Sequence, residues 1–470
     1  MVSTVALAMA ALAAELLLLA IIGPLRIDKT CALGRHSQID SIVSNRSLHC
    51  AKGLVFVYDL PEKFNVELVR SCDSLNPWKS MCSALSNSGL GPPLGKISSS
   101  SSSSWWPWSK AWQFLFRDPD RWPARRSWHA TDQFSGEIIF HRRMLDHRCR
   151  TLDPDGASAF FVPFYAGLDI SRNLWASGKS SSDVDSLGEQ LLHWLQRQHP
   201  HFNRSGGADH FLVAGRISWD FRRMPSAAGE WGSSLFHQIE MRSVKRLVIE
   251  RNPWDDSELG VPYPTSFHPS SDEDLAQWVE FVQGSPRPHL VAFAGSPRPG
   301  YRSDFRQVLL GQCRAAQRGI SGCLDCTADT AGCTSDPLRV TKLFLSSVFC
   351  LQPRGDSFTR KSLFDSLISG CIPVLFWNQS AYWQYELYLP RDPEEYSVFI
   401  PHQSVKNGTN VLDVLQGVSR ERIGRMQRAV LRILPGLVYA SSSSGRRWAD
   451  AFEVAVDGVL GRIKEEGSYS

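Results

Sequence analysis

Residues 349–374 read FCLQPRGDSFTRKSLFDSLISGCIPV. An apolar strand, Val348 to Gln352, delivers the chain into the turn Pro353-Arg354-Gly355-Asp356-Ser357. A helix from Phe358 to Ser369 follows at once and is stopped by Gly370, a residue suited to a helix C-terminus. A second apolar strand, Cys371 to Trp377, comes straight after. Strand, turn, helix and strand in this order predict parallel strands joined by a crossover helix.

The turn carries the chemistry. Helix N-terminal amides and the helix dipole favour an anion, and Arg354, Arg360 and Lys361 add three positive charges there, with the hydroxyl of Ser357 beside them. This predicts a diphosphate site without a Walker sequence. Asp365 lies four residues after Lys361 on the same face, placed to accept hydrogen bonds from ribose hydroxyls or simply to pair with the lysine. A second phosphate loop is predicted at Gly295-Ser296-Pro297-Arg298, after the strand His289 to Ala294. Gly295 permits close backbone approach, and Arg298 offers a bidentate clamp.

The same alternation runs through the chain. Strands are predicted at Leu54 to Tyr58, Ala159 to Phe164, His210 to Ala214 and Lys245 to Glu250. Helices are predicted over Ser127 to His147, around Leu187 to Leu195, and over Ser303 to Gln312, Arg420 to Leu434 and Arg447 to Lys464. Two such series predict two doubly wound Rossmann-like α/β domains, 51–285 and 286–440, with 251–288 as the passage between them and 441–470 as a C-terminal helix and tail. Their ligand belongs at strand carboxyl ends, in the cleft between them. The run Ser98 to Ser104, followed by Trp105, Trp106, Trp108 and Trp112, reads as a low-complexity insertion over about 84–127.

Across 470 residues the balance is ordinary, 43% hydrophobic and 21% charged, which excludes a disordered or collagen-like chain. A net charge of only +4 argues against a nucleic-acid binder. Sixteen Trp is a high count, and indoles often stack on flat partners such as sugar rings.

Val5 to Ile22 is apolar but for Glu15 and ends at Gly23-Pro24, so 1–23 is expected to be a signal-anchor helix and 24–50 a stem. Arg26, Lys29 and Arg35 follow the helix and none precedes it, the reverse of the charge bias a lumenal domain prefers. Asn45, Asn203, Asn378 and Asn407 begin glycosylation sequons. Of eleven Cys, four (Cys313, Cys323, Cys326, Cys333) crowd one loop, with spacings that favour disulfides over zinc. Cys350 and Cys371 sit in apolar strands and are expected to be buried.

Several stretches, VFVYDLPEKFN, HATDQFSGEIIFHRRM, FFVPFYAGLDISR, HFLVAGRISWDFRR, VIERNPWDDSELGVPYPTSFHP, FAGSPRP and the opening segment, resemble the plant exostosin-like glycosyltransferases of family 47, and within them the xyloglucan galactosyltransferase-type branch. The resemblance runs from about residue 54 to 401. It implies a GT-B architecture and inverting transfer from a UDP-sugar, UDP-galactose in this branch, to xyloglucan or a related polysaccharide. It also implies a single-pass type II protein of the Golgi membrane, able to form complexes with other glycosyltransferases, and no metal requirement. The pairs Asp118/Asp120, Asp153/Asp155 and Asp183/Asp185 lie in loop-like surroundings and read as solvated charges, not as metal ligands.

Inversion needs a general base to deprotonate the acceptor hydroxyl. At strand carboxyl ends of the first domain, Asp220 and Asp169 are the leading candidates, ahead of Asp59, with His129 and His210 behind. Against each stands a structural alternative: an ion pair with a neighbouring Arg for Asp220, a helix cap for Asp169, a turn carboxylate for Asp59. The competing function is a non-catalytic lumenal partner that binds sugar nucleotide or glycan, and retention of Arg354, Lys361 and Asp365 together favours the enzyme.

Overall fold

The computed structural model describes residues 50, 52–94, 122–174, 178–227, 230–297, 304–316, 321–326, 333, 336–442 and 446–467. The expected anchor, the stem up to 49, the serine-tryptophan run and Arg298 lie outside them. Among the described residues no helix is long and apolar enough to cross a membrane.

Two all-parallel sheets form. The first has six strands in the order β2-β1-β3-β4-β5-β6: β1 Val55–Val57, β2 Arg150–Thr151, β3 Ala159–Phe161, β4 His210–Ile217, β5 Lys245–Glu250 and β6 Glu258–Gly260. The second has five in the order β11-β10-β9-β7-β8: β7 His289–Gly295, β8 Ser321–Asp325, β9 Ser347–Gln352, β10 Ile372–Leu375 and β11 Val398–Phe399. Strand order reverses between β1 and β3 in one sheet and between β7 and β9 in the other, the crevices where such sheets bind ligands.

Several boundaries differ from those predicted, each for a local reason. The helix expected over Ser127 to His147 starts only at Gly136 and ends at Leu145, because Trp128 is drawn into a bridge with Phe267 and Asp132 folds its carboxylate onto the amide of Phe134. The stretch 251–288, expected as a passage, contains β6 and a helix, Asp272–Gly284. Ser271 caps that helix, and Leu275, Trp278, Val279 and Val282 bury one face, a period hidden by the surrounding acids. The low-complexity insertion is shorter than 84–127, since residues 84–94 and 122–127 are built into the fold and Trp122 packs edge-on against the buried Trp128. β8 runs through the cysteine-rich loop, where no strand is predicted.

The two halves share a core. One cluster joins Leu247 and Leu259 of the first sheet to Leu375 of the second, to Leu363 and Phe364 of the helix Ser362–Ile368, and to Phe452, Val456 and Val459 of the last helix, Ala451–Gly467. That helix returns to the first half, where Arg143 bonds both the Asp450 carboxylate and the Ala440 carbonyl. Disulfides join Cys50–Cys149, Cys72–Cys82, Cys326–Cys333 and Cys350–Cys371. Cys350 and Cys371 are fully buried, as their apolar strands predict, and are bonded to each other across adjacent strands.

Candidate functional site

The wall from the second sheet is the loop between β9 and the helix Ser362–Ile368. This helix starts four residues later than predicted, so residues 353–361 form an irregular loop. Gly355 donates its amide to the Thr359 carbonyl at 3.0 Å, and a Cβ at Gly355 would stand 2.4 Å from that oxygen, so only glycine closes this loop. Gln352 ties the loop's two ends together: its side chain accepts from the Ser362 hydroxyl at 2.7 Å and donates to the Ser362 carbonyl at 3.1 Å.

The predicted phosphate ligands converge here. Arg360 reaches across to β7 and donates to the Ala294 carbonyl at 2.6 Å. Gly295 makes room for it, because a Cβ there would come within 3.2 Å of the guanidinium. The two predicted loops are therefore one site, with Ser296 at the exit of β7. Arg354 is exposed, its guanidinium 5.4 Å from the centre of the Trp377 ring, which in turn stacks on His402. Ser357 is buried. Lys361 holds both carboxylate oxygens of Asp365, at 2.7 and 2.9 Å, so the pairing and the predicted proximity to a nucleotide coexist at half-buried positions.

The facing wall comes from the first sheet. Glu250, the last residue of β5, is buried beneath the loop; it accepts the Thr359 amide at 3.1 Å and the Tyr263 hydroxyl at 2.6 Å. Burial pushes its carboxyl above the ordinary range, while Tyr263, Thr359, Ser357 and Phe358 oppose the shift. Glu137 is likewise enclosed and takes the amides of Gly167, Leu168 and Gly215. Burial raises it to about 8. The sequence reading missed both. The signal available was a carboxylate ending the apolar strand KRLVIE, and an acid in the first turn of an otherwise apolar helix face.

The predicted base candidates separate. Asp220 follows β4; Arg216 donates to one oxygen at 2.6 Å and the Trp231 indole to the other at 2.8 Å. Asp169 takes two bonds from Arg172, and burial pushes it up to about 6. It lines a hollow of about 10 Å³ with Asp185, Ser233 and Ser234, all residues of the first half. Asp59 is exposed at the end of β1. His129 is buried with its ring centre 5.6 Å from that of His268. His210 sits at the amino end of β4, held between Asp209 and Tyr58. Of the Asp-x-Asp pairs, Asp183 closes a capping box with Ser180 and Asp185 binds Arg223 and Ser234, so both carboxylates serve the fold.

Two parallel α/β sheets thus meet at a cationic loop, 353–361, which bonds β7 of its own sheet through Arg360 and Glu250 of the other through Thr359. Residues 49–415 match the exostosin GT47 domain, and the chain belongs to this family of glycosyltransferases. It is 46% identical to the xyloglucan galactosyltransferase XLT2 of Arabidopsis thaliana, over 89% of this chain and 77% of that protein. It is 38% identical to the xyloglucan galactosyltransferase MUR3 of the same plant, over 90% of this chain and 64% of the relative. A xyloglucan-specific galacturonosyltransferase, also from Arabidopsis thaliana, is 40% identical over 87% of this chain and 57% of its own length. Among solved structures, the pneumococcal O-GlcNAc transferase GtfA in complex with UDP and GlcNAc aligns over 60% of each chain at 9% identity and a TM-score of 0.29, too low to inform the fold.

Proposed function

We propose that this chain is an inverting glycosyltransferase of GT-B architecture that moves galactose from UDP-galactose onto side chains of xyloglucan. The observation that carries the reading is the loop 353–361. It gathers Arg354, Arg360 and Lys361 at the carboxyl ends of β7 and β9 and is docked on Glu250 of the opposite sheet. In this reading the cations neutralise the leaving diphosphate, the task that donors aimed at developing charge perform in group transfer, and no metal is required for it. The acceptor hydroxyl approaches from the first sheet, where Asp220 or Asp169 takes its proton.

The acceptor and donor follow the relatives' names. The galacturonosyltransferase among them favours a second donor, UDP-galacturonic acid, so the test is an array. Purified protein is offered UDP-galactose, UDP-galacturonic acid and other UDP-sugars with xyloglucan and control glycans, and product linkage is read by mass. Transfer of galactose to xyloglucan is expected; UDP binding without transfer from any donor would establish the non-catalytic partner instead.

The site of action proposed is the Golgi lumen, with residues 1–23 as a type II anchor. The disulfides among the described residues and exposed sequon asparagines at 203, 378 and 407 support an oxidising, glycosylating compartment. Endoglycosidase sensitivity in plant cells tests this, and a chain free of glycan at all four sequons would place it in the cytosol.

A further inference from the structure

Trp122, Trp128, Trp278 and Trp448 are each 5% exposed or less, whereas Trp78, Trp219, Trp231, Trp254 and Trp383 are exposed. Two of the exposed indoles meet one ring of the opposite half. Trp219, immediately after β4, is 37% exposed, and Trp254, beyond the end of β5, is 67% exposed. Both lie edge-on to one ring, Phe358, with centroids 6.0 and 5.9 Å away. Phe358 belongs to the opposite half and to the very loop that carries Arg354, Arg360 and Lys361. The result is a cluster of three aromatic rings in which Phe358 of the second half touches two indoles of the first.

We infer that Trp219, Phe358 and Trp254 form the platform on which the polysaccharide acceptor lies. This rests on the transferase reading above and adds the acceptor subsite to it. An indole exposed to water is an apolar surface without a partner, and the flat C–H face of a pyranose is a partner that leaves its hydroxyls free for a polar rim. Polar groups lie beside the indoles: Asn252 is two residues before Trp254, and the partly buried Arg222 and Asp255 are ion-paired to each other over the buried Glu258. The cluster adjoins the proposed reaction centre through both halves. Trp219 precedes Asp220, whose carboxylate is held by the indole of Trp231, and Phe358 precedes Thr359, whose amide is bound by Glu250. Three rings side by side offer more apolar surface than one pyranose covers, which suits a polymer. A monosaccharide covers only one of them, so the platform selects chain length more than it selects the sugar attacked.

The test uses the whole protein and three readouts: quenching of tryptophan fluorescence by xyloglucan oligosaccharides, KM for xyloglucan polymer against a short oligosaccharide, and UDP affinity. Trp254→Ala and Trp219→Ala are expected to raise the polymer KM about fivefold to tenfold each, the range of one aromatic contact, to raise the short-oligosaccharide KM less, and to leave UDP affinity unchanged. Trp254→Phe, which keeps a ring, is expected to recover most of the loss. Should a Trp→Ala variant lose UDP binding along with the acceptor, the Phe variant and fluorescence titration of the wild type decide the matter. Polymer KM unchanged in both alanine variants, or an equal loss for polymer and short acceptor, would overturn the platform. Wild-type protein that binds the glycan yet transfers nothing would overturn the transferase reading and leave the platform standing.

Discussion

Glu250, at the end of β5, accepts the backbone amide of Thr359 from the loop that follows β9. A carboxylate of one sheet thereby sets the shape of the phosphate-facing loop of the other. The Tyr263 hydroxyl, 2.6 Å from the same carboxylate, fixes its orientation. No covalent or sequence-local link joins these groups. Beside Gln384, which bonds the backbone of Arg251, and Tyr385, which bonds the Ile249 carbonyl, this carboxylate is one of the polar ties between the two halves.

Glu250→Ala should leave the Tyr263 hydroxyl and the Thr359 amide without their acceptor, at about 1–3 kcal/mol for each buried group. UDP affinity measured by calorimetry should fall along with thermal stability. Glu250→Gln, which still presents a carbonyl oxygen, should recover much of both. UDP affinity equal to wild type in a folded alanine variant would show that the loop holds its form unaided.

Lys361→Ala should weaken UDP binding by about 1.5–3 kcal/mol, the worth of a charged hydrogen bond. Because Lys361 grips both oxygens of Asp365, Asp365→Asn should act in two ways, loosening the lysine and removing a ribose acceptor. A titration with UDP, phosphate-free uridine and inorganic diphosphate separates them: the lysine variant should lose diphosphate affinity, and the asparagine variant should also lose uridine affinity.

Asp220→Asn should lower turnover at saturating donor by about 10²–10⁴-fold with UDP affinity intact, the effect of losing a general base. Asn is nearly isosteric, and its single oxygen still accepts from one of Arg216 and Trp231 while its NH2 faces the other, so the ion-pair role alone predicts a smaller loss of turnover together with lower stability. If Asp169→Asn abolishes turnover while Asp220→Asn does not, Asp169 is the base. If neither does, Asp59 and His129 are next.

Glu137 titrates at about 8 in the fold against 4.5 for an ordinary glutamate. Between those values the folded protein keeps a proton that the unfolded chain has lost. Its contribution is therefore most favourable below about 4.5 and declines as pH rises toward 8. Glu137→Gln, fixed in the neutral form, should flatten melting temperature against pH across that window. A profile as steep as wild type would assign the pH dependence to another group.

The Cys350–Cys371 bond closes a segment with a sequence separation of 21 that contains the whole phosphate-facing loop. Replacing both by Ala should lower unfolding free energy by about 3 kcal/mol, read by denaturant titration under non-reducing conditions. Equal stability of the double variant and wild type would mean that the β9–β10 pairing alone carries the constraint.

Much of this molecule was legible in one dimension. Short apolar runs alternating with helical stretches specify parallel α/β sheets because burial on both faces demands such runs. Arg354-Gly355-Asp356-Ser357 and Gly295-Ser296 stand at strand exits, where backbone geometry makes a site whatever lies elsewhere. The helix Asp272–Gly284 and β8 escaped because acidic or cysteine-rich neighbours masked a period that packing enforces. Glu250 and Glu137 escaped for a deeper reason. Their roles depend on amides more than 29 residues away for Glu137, as in the bonds to Gly167 and Gly215, and 109 away for Glu250. The sequence by itself determined the long central strands and where cations and glycines gather, while the short or edge strands β2, β6, β8 and β11 escaped it. Only the tertiary structure decided that Arg360 bonds β7, that Glu250 holds the facing loop, and that Phe358 touches both Trp219 and Trp254, because those contacts exist only after segments distant in sequence are brought together by a shared hydrophobic core.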